Sequence, residues 1–282
     1  LFCYKELVLR YFFKYFKLVE RFILNNIEKI ITQEGVKKLI KILKPFQTEH
    51  QLIRFGEFFD GGYLLPDDLS NITACFSPGV SNSIHFEKDL LKRGINSYLA
   101  DGSISSAPQL RRSNFIKKYL SNRDTDTTIK LDTWVNEYNP HPNNDLILQM
   151  DIEGSEYSVI NSTSNNTLRK FRVIAVEFHF YDQIKQNPLT FLINNDSFFL
   201  QVFETINKLK QFFEVVHLHP NNNAGIWEIH GFKVPRVLEV TLLRKDRIKS
   251  KFVANSFPHY LDAKCIPSKD DLYLPEEWYL EN

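Results

Sequence analysis

The chain has few cysteines, almost no excess charge and no long apolar run, and each shortage excludes a class of protein. Its three cysteines are odd in number and far apart among 282 residues. They form neither a disulfide framework nor a metal-type spacing, so we predict a reducing, cytoplasmic location. The formal net charge of +1 argues against a nucleic-acid partner. No segment reaches the ~18 apolar residues of a membrane span.

Residues 1–45 differ in composition from the rest and are predicted to form an N-terminal helical extension. Phe12, Phe16 and Val19 share one face at helical spacing, with charged residues between them. We expect this face to pack on the domain or on a partner chain. An interfacial membrane helix is the alternative, because lysine and arginine outnumber the acids here. The chain begins with Leu1, as expected of a processed product or of a domain from a longer protein.

After the extension, short apolar runs alternate with helical patterns, which predicts an α/β domain with a doubly wound sheet. We place this domain at residues 46–245 and expect the tail, residues 246–282, to pack on its surface. Two late apolar segments, Ile226–Ile229 and Val237–Leu243, are predicted to complete the sheet as an antiparallel pair.

The stretch 145–160, DLILQMDIEGSEYSVI, carries the clearest functional signal. Its apolar run, Leu146–Met150, predicts a buried strand that ends abruptly in Asp151, Glu153 and Glu156. Burying carboxylates at that place costs free energy unless a ligand or another partner there interacts with them. The carboxyl edge of an α/β sheet is also where such folds bind ligands. The simpler interpretation is a solvated turn whose acids favour a helix N-terminus.

Two earlier turns have the features of a nucleotide-cofactor site. A small-residue turn between a strand and a helix has only one glycine, and Ser81 or Asn82 is a candidate helix cap. The next strand ends in an acid at close to the ~20-residue spacing of dinucleotide folds, where it can bind both ribose hydroxyls. A DGGY segment upstream allows close approach of the backbone to a ligand, although each of these segments also suits a plain turn. The residues concerned are Ser77, Pro78, Gly79, Val80 and Ser81, then Asp101 and Gly102, then Asp60, Gly61 and Gly62.

Candidate acid–base groups follow two later strands. Glu177 and His179 share one face, because alternate residues of a strand point the same way. His217 and His219 end another apolar run. Since these strand ends are expected at one edge, we predict that Asp151, Glu177 and His179 line one pocket with His217 or His219 at its rim. Histidine titrates near neutrality and therefore suits a general base.

The DIEGSE segment, the Glu-x-His segment and the DGGY segment together resemble the FkbM-type S-adenosylmethionine-dependent methyltransferases, with Gln149 where that family usually has lysine. The resemblance implies a Rossmann-like, seven-stranded class I methyltransferase fold. It also implies O-methylation of a sugar hydroxyl in a glycan, and thus polysaccharide modification.

On this resemblance the catalytic candidates are Asp151, Glu177, His179, His217 and His219. The candidates for binding S-adenosylmethionine are Asp60, Gly61, Gly62, Ser77, Pro78, Gly79, Val80, Ser81, Asp101, Gly102, Asp151 and Glu153. A divalent cation on Asp151 and Glu177 stays open, because hard cations prefer oxygen ligands. Expected partners are a sugar or glycan acceptor and other glycan-modifying domains, fused or in complex.

Two other classes stay open. A nicotinamide-dependent oxidoreductase is disfavoured by the single-glycine turn. A catalytically silent binding module is disfavoured by the acids and histidines at three strand ends, which such a module need not keep.

Overall fold

The computed structural model describes residues 33–81, 83–106, 109–111, 113–138, 145–180, 198–229, 231–254 and 257–280. Most of the predicted N-terminal extension therefore lies outside the described residues. Residues 33–43 form helix α1, and its Val36, Leu39 and Leu43 are buried in the main apolar core. Within the described ranges, no helix combines the length and apolarity that crossing a membrane requires.

Strands and helices then follow in chain order. The strands are β1 (Phe46–Thr48), β2 (Leu52–Phe55), β3 (Tyr63–Pro66), β4 (Ile72–Pro78), β5 (Asn96–Ala100), β6 (Ser113–Ile116), β7 (Tyr119–Leu120), β8 (Thr128–Ile129), β9 (Asp145–Met150), β10 (Phe171–His179), β11 (Phe213–Pro220), β12 (Ile226–Ile229), β13 (Phe232–Pro235), β14 (Val237–Arg244) and β15 (Lys251–Val253). The further helices are α2 (His85–Lys92), α3 (Leu131–Tyr138), α4 (Glu156–Ser162), α5 (Asn165–Leu168) and α6 (Phe198–Lys210).

Seven of these strands form one sheet in the spatial order β11-β14-β10-β9-β4-β5-β6. All its neighbouring pairs are parallel except the two that involve β14. This is the Rossmann-like, seven-stranded methyltransferase arrangement that the resemblance implies, so the predicted fold class is confirmed. The strand order reverses between β4 and β9, and the carboxyl ends of these two strands border the crevice where such sheets bind ligands.

The predicted pairing of the last two apolar segments is wrong. Strand β12 pairs with β13 in a separate hairpin, whereas β14 inserts between β10 and β11. Strand β14 is buried over all but its last residue, while β12 has both buried and exposed positions. A strand buried on both faces belongs inside a sheet, and a half-exposed strand suits a peripheral hairpin.

The continuous apolar runs fill the core on both faces of the sheet. All nine residues of β10 are buried. Phe76 of β4 packs edge-on against Trp134 with ring centroids 4.9 Å apart, and it stacks on Tyr98 at the same separation. Aromatic rings bury large areas and favour these two geometries, so this cluster stabilises the contact between sheet and helices.

At the amino edge of the sheet, opposite the predicted site, buried charges are paired. Arg172 donates through Nε and Nη2 to Oδ2 of Asp145 at 2.8 and 2.5 Å. Its Nη1 donates to the carbonyl oxygen of Asp68 at 2.8 Å. Arg244 donates to Oδ1 of Asp145 at 2.7 Å. Charge-assisted bonds of this kind are the stronger ones, so the amino edge is well satisfied.

The C-terminal segment packs on the domain. Trp278 is fully buried and its Nε1 donates to the carbonyl oxygen of Lys233 at 3.0 Å. Asn222 donates to the carbonyl oxygen of Ile266 at 2.9 Å. Strand β15 pairs with β1 and so joins the segments before and after the sheet. The domain boundaries at residues 46 and 245 stay predictions.

Gly79 is required where β4 and β9 approach each other. A Cβ at Gly79 would lie 1.6 Å from the carbonyl oxygen of Asp151, which is a main-chain atom and cannot rotate away as a flexible side chain could.

We therefore expect Gly79→Ala to cost about 3 kcal/mol of unfolding free energy or more, or to prevent folding. Gly94 is the matched control, because it has the same φ of 82° but no atom within 4 Å of its Cβ position. Gly94→Ala should show backbone strain alone, about 1–2 kcal/mol. Equal losses in urea unfolding would show that the contact is not the cause.

Candidate active site

The turn after β9 is organised by a buried carboxylate. The chain reverses through Glu153 and Gly154, with φ of 56° and 99°. Glu156 is fully buried and folds back over this turn. Its Oε1 accepts the backbone N–H groups of Ile152 and Gly154, both at 3.1 Å. The solvated turn of the simpler interpretation is therefore wrong for Glu156, whose charge is used inside the protein.

The same carboxylate orients the histidine at the end of β10. Oε1 of Glu156 lies 3.1 Å from Nδ1 of His179, so Nδ1 carries a proton and donates it to the carboxylate. Nε2 then lies 3.4 Å from Oε2 of Glu153 and 3.8 Å from Oδ1 of Asp151. Burial lowers the pKa of His179, but Glu156 and Asp151 outweigh burial and raise it above its ordinary value. His179 can therefore take up a proton at Nε2.

Asp151, just after β9, and Glu177, near the end of β10, are close enough at the same edge for the charge of one to act on the other. Burial raises the pKa of Asp151 to about 7, although the charge of His179 opposes this. Burial, then the charges of Asp151 and Glu239, raise the pKa of Glu177 well above its ordinary value. Asn221 fixes Glu177 by donating to its Oε1 at 2.7 Å. The two carboxyl groups therefore retain a proton at pH values where exposed carboxyl groups have lost theirs.

Two cavities meet at this edge. The larger one, about 330 Å³, has a mainly polar wall: Asp60, Asp151, Glu153, Glu177, His179, Asn221, Asn223, Ala224, Arg236, Val237, Cys265 and Ile266. The smaller one, about 130 Å³, lies between the DGGY segment, the turn after β4 and helix α2: Asp60, Gly61, Tyr63, Gly79, Val80, Ser81, Ser83, Phe86, Glu87, Gln149 and Asp151. Asp60 and Asp151 line both cavities and so mark the place where the cavities meet.

The turn after β4 is held by Asp101 at the end of β5. The backbone N–H of Ser81, whose φ is 47°, donates to Oδ2 of Asp101 at 2.9 Å. Oδ1 accepts the N–H and the hydroxyl of Ser103 at 2.7 and 2.6 Å. Burial raises the pKa of Asp101, but these hydrogen bonds outweigh burial and lower it below its ordinary value. The predicted cap by Ser81 is wrong, because α2 begins after Ile84 and has no side-chain cap.

Sequence reasoning missed Glu87, which lies on α2 and lines the smaller cavity. The hydroxyl oxygen of Ser77 lies 2.5 Å from its Oε1 and 2.6 Å from Oε1 of Gln149. Oε2 of Glu87 is buried and has no hydrogen-bond partner among the described residues. Burial raises the pKa of this carboxyl group. Helical spacing carried a signal for Glu87, since it shares the inner stripe with Ile84 and Leu91.

The two later histidines do not line either cavity, contrary to the prediction. Nε2 of His217 lies 2.8 Å from Oδ1 of Asp262 in the tail. Nδ1 of His219 lies 3.2 Å from Oε2 of Glu239. Burial lowers the pKa of His219, but Glu239 outweighs burial and raises it to about 9. The end of β11 itself reaches the larger cavity, because Asn221 and Asn223 line it. The two imidazoles are instead paired with carboxylates that line neither cavity, Asp262 and Glu239.

Some predicted cofactor residues support the turns without lining a cavity. Ser77 is buried beneath the turn, and the carbonyl oxygen of Pro78 accepts the N–H of Asp151 at 3.4 Å. A Cβ at Gly62 would meet the guanidinium of Arg54, and one at Gly102 would meet a neighbouring aromatic ring. The predicted residues that do line a cavity are Asp60, Gly61, Gly79, Val80, Ser81, Asp151, Glu153, Glu177 and His179.

Three residues at this site offer metal-ligand atoms within 4.8 Å of one another, namely Asp151, Glu156 and His179. Oε1 of Glu156 already receives two backbone N–H groups and lies against His179. We therefore assign Glu156 to orienting the imidazole. Glu177 is not a member of this group, so a divalent cation on Asp151 with Glu177 stays a prediction.

Strand order, crevice and polar strand ends define a methyltransferase of the Rossmann-like class. Residues 77–223, just over half of the chain, match the methyltransferase FkbM domain, and the chain belongs to that family. No curated protein matches the chain.

Two solved structures are distantly similar. One is a putative hemolysin from Streptococcus thermophilus, with 14% identity and a TM-score of 0.35 over 69% of this chain and 66% of that chain. This chain thus spans just under two thirds of that protein. The other is a SAM-dependent methyltransferase from Anabaena variabilis ATCC 29413, with 9% identity and a TM-score of 0.32 over 61% of this chain and 77% of that chain.

The raised pKa of Asp151 predicts a cost in stability near neutral pH. Its folded pKa is about 7 against an ordinary 3.8, so the folded state keeps a proton that the unfolded state has lost. The contribution of Asp151 to the free energy of unfolding is complete below pH 3.8, decreases as the pH rises, and is lost above about pH 7. We expect Asp151→Asn to raise the melting temperature at pH 8, by about 2–4 °C for each kcal/mol regained, and to have little effect at pH 3.5.

Asp132→Asn is the control with the opposite sign. Asp132 accepts the N–H and the hydroxyl of Ser164 at 2.9 and 2.7 Å, and its pKa lies below the ordinary value despite partial burial. Its removal should lower the melting temperature at pH 8 and have less effect at low pH. A melting temperature for Asp151→Asn that is unchanged or lower at pH 8 would contradict the prediction.

Proposed function

We propose that this chain transfers a methyl group from S-adenosylmethionine to a hydroxyl group of a sugar or glycan. The observation that carries the proposal is the junction of the two cavities at Asp151. On one side lies a turn of the nucleotide-cofactor type, and on the other lie acid–base groups. Family membership supports the methyltransferase class, and the polar wall of the larger cavity supports a polyhydroxylated acceptor.

The residues around the smaller cavity fit the cofactor. Gly79, Val80 and Ser81 of the turn after β4 line this cavity. Asp101, at the end of β5 and with a pKa lowered by its hydrogen bonds, is our candidate for accepting hydrogen bonds from the ribose hydroxyls. Glu87, with its unpartnered buried oxygen, suits the α-ammonium group of the methionine part. When bound, S-adenosylmethionine supplies an electrophilic methyl group on a positively charged sulfur.

The groups of the larger cavity deprotonate and orient the acceptor. Nε2 of His179 takes the proton from the acceptor hydroxyl, whose oxygen becomes the nucleophile. Glu156 holds the Nδ1 proton and stabilises the imidazolium that forms, as the carboxylate of a catalytic triad does. Glu177, fixed by Asn221, and Asp151 hydrogen-bond neighbouring hydroxyls of the acceptor. Holding the hydroxyl beside the methyl group contributes mainly by positioning.

Two wider parts of the proposal rest on sequence alone. The few, scattered cysteines favour a cytoplasmic location. A glycan acceptor favours action beside other glycan-modifying domains, fused to this chain or in complex with it. Binding of nucleic acid is not part of the proposal, because the net charge is +1.

Cofactor binding is tested with S-adenosylhomocysteine, the product after methyl transfer. We expect it to raise the melting temperature and to bind in calorimetry with one site per chain. Asp101→Ala and Glu87→Gln should each weaken binding by on the order of 1–3 kcal/mol, because each removes hydrogen bonds to a charged or polar group. Asp89→Asn, on the same helix but outside the smaller cavity, is the matched control and should bind normally. Stabilisation by NAD and not by S-adenosylhomocysteine would overturn the methyltransferase proposal in favour of an oxidoreductase.

Turnover is tested with a panel of monosaccharide glycosides and polysaccharides as acceptors, following S-adenosylhomocysteine formation. Asp151→Asn and His179→Gln should each reduce turnover roughly 10²-fold or more with nearly unchanged S-adenosylhomocysteine affinity. His217→Gln replaces a histidine that lines neither cavity, and it should retain most of the turnover per folded molecule.

The pH dependence separates a base from a structural residue. Because the pKa of His179 is raised, activity should rise with pH through a value above the ordinary 6.5. Glu156→Gln removes the main charge that raises it, so the rising limb should move to lower pH. Methylation of amines but not hydroxyls would leave the methyltransferase class standing and refute the sugar acceptor.

A further inference from the structure

A second group of chemically reactive side chains lies beside the larger cavity and has no part in the proposed reaction. His219 of β11 and Glu239 of β14 face each other as register partners across two antiparallel strands. Cys265 reaches the same place from the tail. All three residues are buried, and each offers a ligand atom within 4.8 Å of the others.

We propose that His219, Glu239 and Cys265 bind a zinc-like divalent transition metal ion. The donor set of one imidazole nitrogen, one carboxylate oxygen and one thiolate sulfur suits a borderline cation of this kind. A thiolate ligand disfavours Mg²⁺ and Ca²⁺, which take oxygen ligands. Three protein ligands leave a fourth position for water or another ligand.

The distances suit such an ion with little movement. Nδ1 of His219 lies 3.2 Å from Oε2 of Glu239, and Sγ of Cys265 lies 3.4 Å from Oε1 of Glu239. Tetrahedral zinc, with bonds of ~2.0 Å to nitrogen or oxygen and ~2.3 Å to sulfur, separates its ligand atoms by about 3.3–3.6 Å. One oxygen of the carboxylate contacts the imidazole and the other contacts the thiol, so a small movement lets a single ion reach all three groups.

Two further observations point to a ligand. Nε2 of His219 is buried and has no hydrogen-bond partner in the part of the chain that the structure describes. An unsatisfied buried nitrogen calls for a missing water or ion, or for a ring rotation that uses it. The guanidinium of Arg54 is near enough for its charge to act on Glu239, but its hydrogen bonds go to the backbone carbonyl oxygens of Glu57, Leu261 and Phe59. The carboxylate is thus left to His219 and Cys265.

The position of Cys265 gives the ion an entry path and a structural role. Cys265 lines the larger cavity, so an ion can reach the site from there. The three ligands come from the two strands β11 and β14 and from the tail, and an ion would fasten the tail to the sheet. The proposal does not depend on methyl transfer, because neither His219 nor Glu239 lines the larger cavity.

The test uses Co²⁺ as a spectroscopic probe on chelator-treated, full-length protein. We expect one equivalent of Co²⁺ to give the near-ultraviolet thiolate charge-transfer band and the intense visible bands of a tetrahedral site, and Zn²⁺ to abolish both. Zn²⁺ should also raise the melting temperature, whereas Mg²⁺ should not. Binding should weaken at low pH, because the ligands must lose their protons.

Variants identify the ligands. Cys265→Ser should remove the charge-transfer band, and His219→Gln should lose the stabilisation by Zn²⁺. Cys75→Ala and His217→Gln are the matched controls, since they replace a buried thiol and a carboxylate-paired histidine outside the cluster, and both should behave as the parent protein. Circular dichroism checks that each variant is folded. No band in the folded parent protein, or a band that survives Cys265→Ser, would overturn the proposal.

Discussion

Buried carboxyl groups of like charge meet at one edge of the sheet, and the rest of the structure depends on keeping them there. Asp151 follows β9, Glu177 and Glu239 lie on β10 and β14, and the last two are register partners. Burial raises the pKa of Asp151 and of Glu177, and the charges of Asp151 and Glu239 raise that of Glu177 further, so the folded state holds protons that the unfolded chain releases. The arginine-paired amino edge and the fully apolar strand centres must offset this cost. Ion pairs therefore stabilise the amino edge of the sheet, whereas the carboxyl edge holds the buried carboxyl groups with raised pKa values.

A single carboxylate connects the fold to the chemistry. Glu156 closes the turn after β9 through two backbone N–H groups, and it also fixes the ring of His179. The geometry of the turn and the protonation of the histidine thus depend on the same charge. A substitution that alters one alters the other, so stability and activity at this site are coupled. The last acid of DIEGSE is therefore a positioning residue, whereas the first, Asp151, lines both cavities.

The sequence was informative where the signal is local. Continuous apolar runs predicted the buried parallel strands, and the polar residues that end them predicted Asp151, Glu177 and His179 at one edge. It failed where the signal is non-local. The insertion of β14 between β10 and β11 joins segments that are far apart in the sequence. The carboxylates that pair with His217 and His219, Asp262 and Glu239, come from the tail and from β14.

Two other features were hidden for different reasons. Glu87 was overlooked because the inner face of α2 is otherwise apolar. In addition, position 149 holds glutamine where the family usually has lysine, so no positive charge in the sequence pointed to a buried carboxylate. Both side chains contact the hydroxyl of Ser77, so they lie close together. The cluster of His219, Glu239 and Cys265 comes from three separate elements and has no spacing pattern that a sequence reading can recognise.

The late position of β14 in the chain has a consequence for synthesis on the ribosome. Strands β10 and β11 both pair with β14, which lies between them, so neither can complete its pairing in the sheet until β14 has been made. Until then the edge of β10 that pairs with β14 is exposed, and its centre is the apolar run Val173–Val176, the kind of surface that aggregates. The sheet can therefore close only after β14, Val237–Arg244, has been made. Pairings this distant in sequence slow folding.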